Sequence, residues 1–253
     1  MKKIIGIVGG VGPYAGLDLH TKICNNTVTT GIDQDHLEVY LLSRSAHIPD
    51  RTAFLLDRTL PNPAHGIFTT VAKLVYIGAQ VIGIPCNTSH ALPIFQPLRE
   101  QITQAGFNIE LLHMIEETYH FLQSQYAHIS KIGLLATQGT YFSGVYAEIL
   151  ESEHKYHVLL PTEVQRPLVH QAIYHPEYGI KARANPVTAK AIQALTDVGN
   201  SLIAAGAEVL IMGCTEIPLA LNRAHFSVPL IDPTDILARA LVHRAAPDQL
   251  AQI

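Results

Sequence analysis

Gly78-Ala79-Gln80-Val81-Ile82-Gly83-Ile84-Pro85-Cys86-Asn87-Thr88 and Gly206-Ala207-Glu208-Val209-Leu210-Ile211-Met212-Gly213-Cys214-Thr215-Glu216 follow one pattern twice, Gly206 and Cys214 each standing 128 positions after Gly78 and Cys86. Each stretch opens on Gly-Ala, runs through apolar residues to a cysteine and closes on two polar residues. A second pair repeats at nearly the same spacing, Ile132-Gly133-Leu134-Leu135 falling 127 positions after Ile5-Gly6-Ile7-Val8. Two matches at one offset, one of them carrying a cysteine to the same place, imply an internal duplication.

Working outward, short apolar runs alternate with longer segments that suit helices. The runs are Ile4 to Val8, Leu37 to Leu42, Val81 to Pro85, Ile109 to His113, Ile132 to Ala136, Val158 to Pro161, Val209 to Gly213 and Val228 to Ile231. They are rich in β-branched residues, do not alternate with polar ones, and are bounded by Gly or Pro. Strands buried on both faces read this way, so the fold class is α/β, with parallel sheets flanked by helices. The duplication makes it two pseudo-symmetric lobes with a cleft between them, lobe 1 being residues 1–113 plus 222–253 and lobe 2 residues 114–221. Met114 to Tyr126 reads as a helix at the junction. Ligands of such sheets gather at the carboxyl ends of the strands, where both cysteines fall.

Composition narrows the function. The chain has 253 residues, 48% hydrophobic and only 15% charged, which favours a well-buried core and excludes disorder. A net charge of −4, with no basic run, argues against nucleic acid and anionic membrane as partners. No apolar run approaches the ~18 residues of a membrane span, and Met1-Lys2-Lys3 leads straight into a strand, so a cytoplasmic protein without a signal peptide is expected. The three cysteines, Cys24, Cys86 and Cys214, have no zinc-knuckle spacing and cannot all pair. Of the 14 histidines, His120, His128, His154, His157, His170 and His175 lie in no motif, and no metal is expected. Cys24 reads as a buried apolar residue.

Two thiols at matched positions suggest proton transfer through a bound molecule, one thiolate removing a proton from a carbon and the other thiol returning one to the opposite face. Asn87, Thr88 and Ser89 after Cys86, and Thr215 and Glu216 after Cys214, suit helix starts, whose positive dipole ends favour thiolate. The turn Gly9-Gly10-Val11-Gly12-Pro13 invites a dinucleotide reading, with Ala15 in the last place of the fingerprint. Pro13 interrupts it, however, and Ser43-Arg44 ends the next strand where an acidic residue is needed. A tight turn that brings backbone close to a small carboxylate is the better use of Gly10 and Gly12.

Gly9-Gly10-Val11-Gly12-Pro13, Ile48-Pro49-Asp50-Arg51-Thr52, Pro85-Cys86-Asn87-Thr88-Ser89-His90, Ala136-Thr137-Gln138-Gly139-Thr140 and Gly213-Cys214-Thr215-Glu216-Ile217-Pro218 together resemble the aspartate/glutamate racemase superfamily, most closely its aspartate racemases. The resemblance covers nearly the whole chain in order. It implies a two-lobed, commonly dimeric, pyridoxal-phosphate-independent isomerase that interconverts L- and D-aspartate and needs no cofactor. It also implies that Cys86 and Cys214 are the two catalytic bases and that Arg51 holds a substrate carboxylate. Lys181, in Tyr178-Gly179-Ile180-Lys181, is similar to the lysine that holds the other, although Ala182-Arg183-Ala184 follow where the family commonly has a glycine. Asn87, Thr88, Thr137, Thr140 and Thr215 resemble the family's polar substrate contacts, compatible with helix capping. Glu216 and His90 adjoin the bases as tuning candidates.

The alternatives are a glutamate or broad-specificity amino-acid racemase, a dicarboxylic-acid isomerase or decarboxylase of the same superfamily, and a two-lobed small-molecule binding protein. The last has no use for paired cysteines.

Overall fold

The computed structural model describes residues 2–152 and 154–252. The chain divides into two compact units, Met1–Thr118 with Thr234–Ile253, and Tyr119–Pro233.

In the first unit a four-stranded parallel sheet runs in the order β2-β1-β3-β4, from β1 (Ile5–Gly9), β2 (Val39–Ser43), β3 (Val81–Gly83) and β4 (Glu110–Leu111). The intervening helices are α1 (Pro13–Asn25), α2 (Arg51–Leu56), α3 (Pro63–Tyr76) and α4 (Leu92–Gln104). All five residues of β1 are buried, as a strand covered on both faces requires. Ile5, Ile7, Leu19, Val81 and Met114 share one core with Leu237 and Leu241 of the last helix.

The second unit repeats this topology. β5 (Lys131–Ala136), β6 (His157–Leu159), β7 (Val209–Gly213) and β8 (Leu230–Ile231) form a parallel sheet in the order β6-β5-β7-β8. With α5 (Met114–Gln125) at the junction, its helices are α6 (Gln138–Ser143), α7 (Val145–Leu150), α8 (Arg166–Tyr174) and α9 (Ala189–Ala204), and α10 (Pro233–Ala245) returns the chain to the first unit. Each of the eight apolar runs read from the sequence overlaps a strand.

The duplicated Gly-Ala has a physical purpose. α3 and α9 both end in a left-handed glycine, Gly78 at φ 106° and Gly206 at φ 101°. Ala79 N–H then donates to Leu74 O at 2.9 Å and Ala207 N–H to Leu202 O at 3.0 Å, closing each helix and turning the chain into the next strand. The neighbouring strand must lack a side chain to let this turn pack. A Cβ on Gly6 would sit 3.0 Å from the Ala79 Cβ, and one on Gly133 3.1 Å from the Ala207 Cβ.

Both lobe boundaries differ from the expected ones. Residues 114–118 fall in the first unit, and residues 222–233 in the second, where β8 pairs in parallel with β7 and Phe226, Val228 and Leu230 pack into the core. A Cβ on Gly199 would strike the Phe226 ring at 2.5 Å, so helix α9 is built around that side chain. The crossing back falls instead at Pro233, where α10 begins. Among the described residues no helix is long and apolar enough to cross a membrane.

Candidate functional site

Each unit presents candidate residues at the carboxyl ends of its two central strands. In the first, β1 runs into Gly10, held at φ 85°. A Cβ there would fall 2.5 Å from Ser45 N and 2.6 Å from Arg44 N, so the glycine is required by the chain leaving β2. Gly12 starts α1, its carbonyl accepting from Ala15 N–H at 3.1 Å, with Pro13 in the first helical turn.

Arg51 is brought to this turn from α2, whose start is capped by Asp50 Oδ1 accepting from Ala53 N–H at 2.7 Å. Its guanidinium donates to Val11 O and, at 3.2 Å, to Pro49 O. These bonds anchor the arginine to the Gly10–Gly12 turn.

Cys86 follows β3, is 7% exposed, and leads into a buried 3₁₀ turn of Asn87, Thr88, Ser89 and His90 against which α2 packs. The His90 ring turns back, its Nδ1 lying 2.9 Å from Cys86 O. Behind it, His113 Nδ1 accepts from Glu116 N–H at 3.2 Å, which leaves the proton of the neutral ring on Nε2 to donate to His90 O at 3.2 Å. Burial, reinforced by His113, holds His90 well below the usual imidazole range.

In the second unit, Ala136 and Gly213 pair at the ends of β5 and β7, so the chain segments carrying Thr137 and Cys214 leave the sheet side by side. Thr137 caps α6, its Oγ1 accepting from Thr140 N–H at 3.5 Å and lying 3.3 Å from Thr140 Oγ1. Tyr141 pins this corner, its hydroxyl accepting from Ala136 N–H at 2.7 Å and donating to Leu134 O at 3.3 Å.

Cys214 is 8% exposed and Glu216 4%. The Cys214 thiol donates to Glu216 Oε2 at 2.9 Å, Thr215 Oγ1 lies 3.4 Å from the same oxygen, and Lys181 Nζ pairs with Glu216 Oε1. Lys181 also sits over the Tyr174 ring, 5.2 Å from its centroid. Burial pushes the Cys214 thiol well up, the Glu216 carboxylate adds to this, and Lys181 opposes it. For Lys181, burial works against the charged form, but Glu216, with Cys214 and Tyr174, outweighs it and lifts the ammonium above its ordinary range.

Two expectations, the helix-end setting of the cysteines and the burial of Cys24, differ from the structure. Neither cysteine heads an α-helix: Cys86 opens a four-residue 3₁₀ turn and α4 begins only at Leu92, while Cys214 precedes a 3₁₀ turn at Ile217–Leu219. Single turns align too few peptide dipoles to act as a helix end, and for Cys214 burial and Glu216 favour the thiol. Lys181 pairs with the Glu216 carboxylate within its own unit. Cys24 is half-buried on α1 rather than fully buried.

By unit, Gly10, Gly12, Arg51, Cys86, Asn87, Thr88 and His90 fall in the first, and Thr137, Thr140, Lys181, Cys214, Thr215 and Glu216 in the second. The sequence reading missed His113, Tyr141 and Tyr146. The two tyrosines are buried and electrostatically coupled to Cys214. Tyr141 was visible as the residue one helical turn after Thr137; His113 gave no signal beyond its apolar neighbours.

Residues 8–241 match the family model described as Asp/Glu/Hydantoin racemase. The chain belongs to that family. As a member of the Asp/Glu/Hydantoin racemase family it is 26% identical over 246 residues to a broad-specificity amino-acid racemase of Bacillus subtilis, covering 94% of this chain and 96% of the relative. Its fold superposes on an aspartate racemase of Picrophilus torridus with a TM-score of 0.80 at 28% identity, covering 96% and 94% of the two chains. An aspartate racemase homologue of Pyrococcus horikoshii shares the fold at a TM-score of 0.72 and 22% identity, covering 97% of this chain and 100% of the other. The family places the chain among racemases, and the relatives span both aspartate and broader amino-acid specificity.

Proposed function

We propose that this racemase-family chain interconverts L- and D-aspartate without pyridoxal phosphate, Cys86 and Cys214 serving as the two bases. One observation carries the reading: in each of two units of identical strand order, a buried cysteine stands within three residues of the end of the third strand. A duplicated fold with a duplicated thiol suits a reaction that needs one base on each face of a carbon.

In that reaction one thiolate removes the α-proton, the carbon becomes a planar carbanion, and the other cysteine delivers its thiol proton to the opposite face. An amino acid's α-proton is far less acidic than a thiol, so the site must stabilise the carbanion. Arg51 supports this role: its forked guanidinium, fixed by two carbonyls, suits a carboxylate, and charge delocalised into a held carboxylate lowers the barrier. Asn87, Thr88, Thr137, Thr140 and Thr215 are buried polar groups beside the cysteines and suit the remaining contacts to carboxylate and amine.

The test is chiral chromatography of L-aspartate, L-glutamate and L-alanine incubated with purified protein and no added cofactor. D-Aspartate formed fastest supports the proposal. D-Glutamate or D-alanine formed at equal or greater rates replaces aspartate with a glutamate or broad-specificity reading. No D-product from any of them overturns the assignment and turns attention to dicarboxylic acids without an amine, or to a binding protein.

A further inference from the structure

The two halves are alike in backbone and unlike in charge. At the second position after Cys86 stands Thr88, and at the matching position after Cys214 stands Glu216. Around Cys86 the following residues Asn87, Thr88 and Ser89 are neutral, whereas the Cys214 thiol donates directly into a carboxylate. We infer that Glu216, clamped by Lys181, is a positioning residue that keeps Cys214 as the thiol member of the pair, and that Lys181 acts on Cys214 through Glu216. This rests on the two-base reading and deepens it by assigning the resting proton.

The geometry makes the assignment specific. Glu216 is nearly buried, and its carboxylate receives Cys214 and Thr215 on one oxygen and Lys181 on the other. A carboxylate so placed accepts the S–H and repels a thiolate, and the lysine paired with it limits that repulsion. Among the described residues of its unit, Tyr141 and Tyr146, both buried phenols, also act on Cys214, with Arg166 over the Tyr141 ring, Asp232 behind Tyr146 and Tyr174 against Lys181.

The proton balance follows. In the resting enzyme Cys214 holds its proton; when a carbanion forms, the S–H bond breaks, the new C–H bond takes the proton, and the thiolate left behind is stabilised by Lys181. The enantiomer that loses its proton toward Cys86 therefore receives its new one from the resting Cys214 thiol, and the other must wait for Cys214 to ionise. Enantiomers are equal in free energy, so kcat/KM must be the same in both directions and cannot reveal this asymmetry. The thiol itself must be titrated.

The experiment is the pH dependence of Cys214 alkylation by iodoacetamide, read peptide by peptide by mass spectrometry on the folded full chain. Glu216→Gln, which keeps size and hydrogen bonding, should lower the Cys214 midpoint by about one pH unit or more. Lys181→Met should raise it by a similar amount, because the carboxylate then acts unopposed. Opposite signs separate this role from general loosening, which would ease alkylation in both variants. A Glu216→Gln midpoint that is unchanged or higher overturns the inference, as does a Lys181→Met midpoint that falls. No substrate is involved, so a failure of the racemase reading shows up separately, in the chiral assay.

Discussion

His90 Nδ1 lies 2.9 Å from the carbonyl oxygen of Cys86, four residues before it in the chain. The ring is 1% exposed and packed between Phe95 and His113, with centroid distances of 5.1 and 4.7 Å. A side chain so enclosed fixes the peptide that carries the candidate base, and it is itself fixed through its own carbonyl by His113. His90→Ala should therefore cost about 2–4 kcal/mol of stability through the cavity and the lost hydrogen bond. His90→Asn, whose amide N–H can reach the same carbonyl, should recover more activity than stability. Urea unfolding of both variants beside a racemisation assay checks this; equal losses of activity in the two would contradict it.

The same two imidazoles set an acid limit. Burial lowers both His90 and His113, with the His113 ring adding to the effect on His90 and Glu116 opposing it on His113. In the unfolded chain they titrate near the ordinary 6.5. Below that pH the unfolded state binds protons the folded state refuses, so their contribution is complete above about pH 6.5 and declines as the pH falls. The slope should reach about 1.4 kcal/mol per pH unit for each histidine. Urea midpoints at pH 7.5, 6 and 5 should fall in that order, and His90→Asn should flatten the decline. A wild-type midpoint that holds steady to pH 5 would contradict the assignment.

Arg51 is tied to Val11 and Pro49 carbonyls, which leaves its fork geometry as the property that matters. Arg51→Lys keeps the charge and loses the fork, and should weaken kcat/KM for aspartate by roughly 10- to 100-fold with little change in melting temperature. Kinetics and a thermal melt on the same preparation decide it. A melting temperature that drops sharply would make Arg51 a brace for the Gly10 turn instead.

How far the sequence reached is clearest at particular residues. The strands were legible because apolar runs buried on both faces need no partner to be recognised, and the duplication was legible because Gly78 and Gly206 carry one backbone requirement. The lobe boundary was not, since Phe226 and Leu230 reveal their side only by what they pack against. The ion pair of Lys181 and Glu216 joins residues 35 positions apart, beyond any local pattern. The supposed helix ends could have been corrected in advance: Pro93 and Pro218 mark first-turn positions, and both lie several residues past the cysteines.

The repeat makes a packing prediction of its own. A Cβ on Gly133 would approach Leu210 Cδ2 to 2.5 Å and the Ala207 Cβ to 3.1 Å, whereas one on Gly6 would approach nothing nearer than the Ala79 Cβ at 3.0 Å. Gly133→Ala should thus cost about 1–3 kcal/mol and Gly6→Ala less, as measured by chemical unfolding. The reverse order would show that Leu210 yields more easily than the Ala79 turn.

The most direct test of the two-base account is proton NMR in deuterium oxide, with L- and D-aspartate offered separately to Cys86→Ser and Cys214→Ser. Each variant keeps one thiol, able to remove a proton from one face and return a deuteron to that same face. Neither should racemise, and each should exchange the α-proton of one enantiomer only, the two variants choosing opposite enantiomers. Racemisation by either variant, or exchange of both enantiomers by one of them, would contradict the pairing of Cys86 with Cys214.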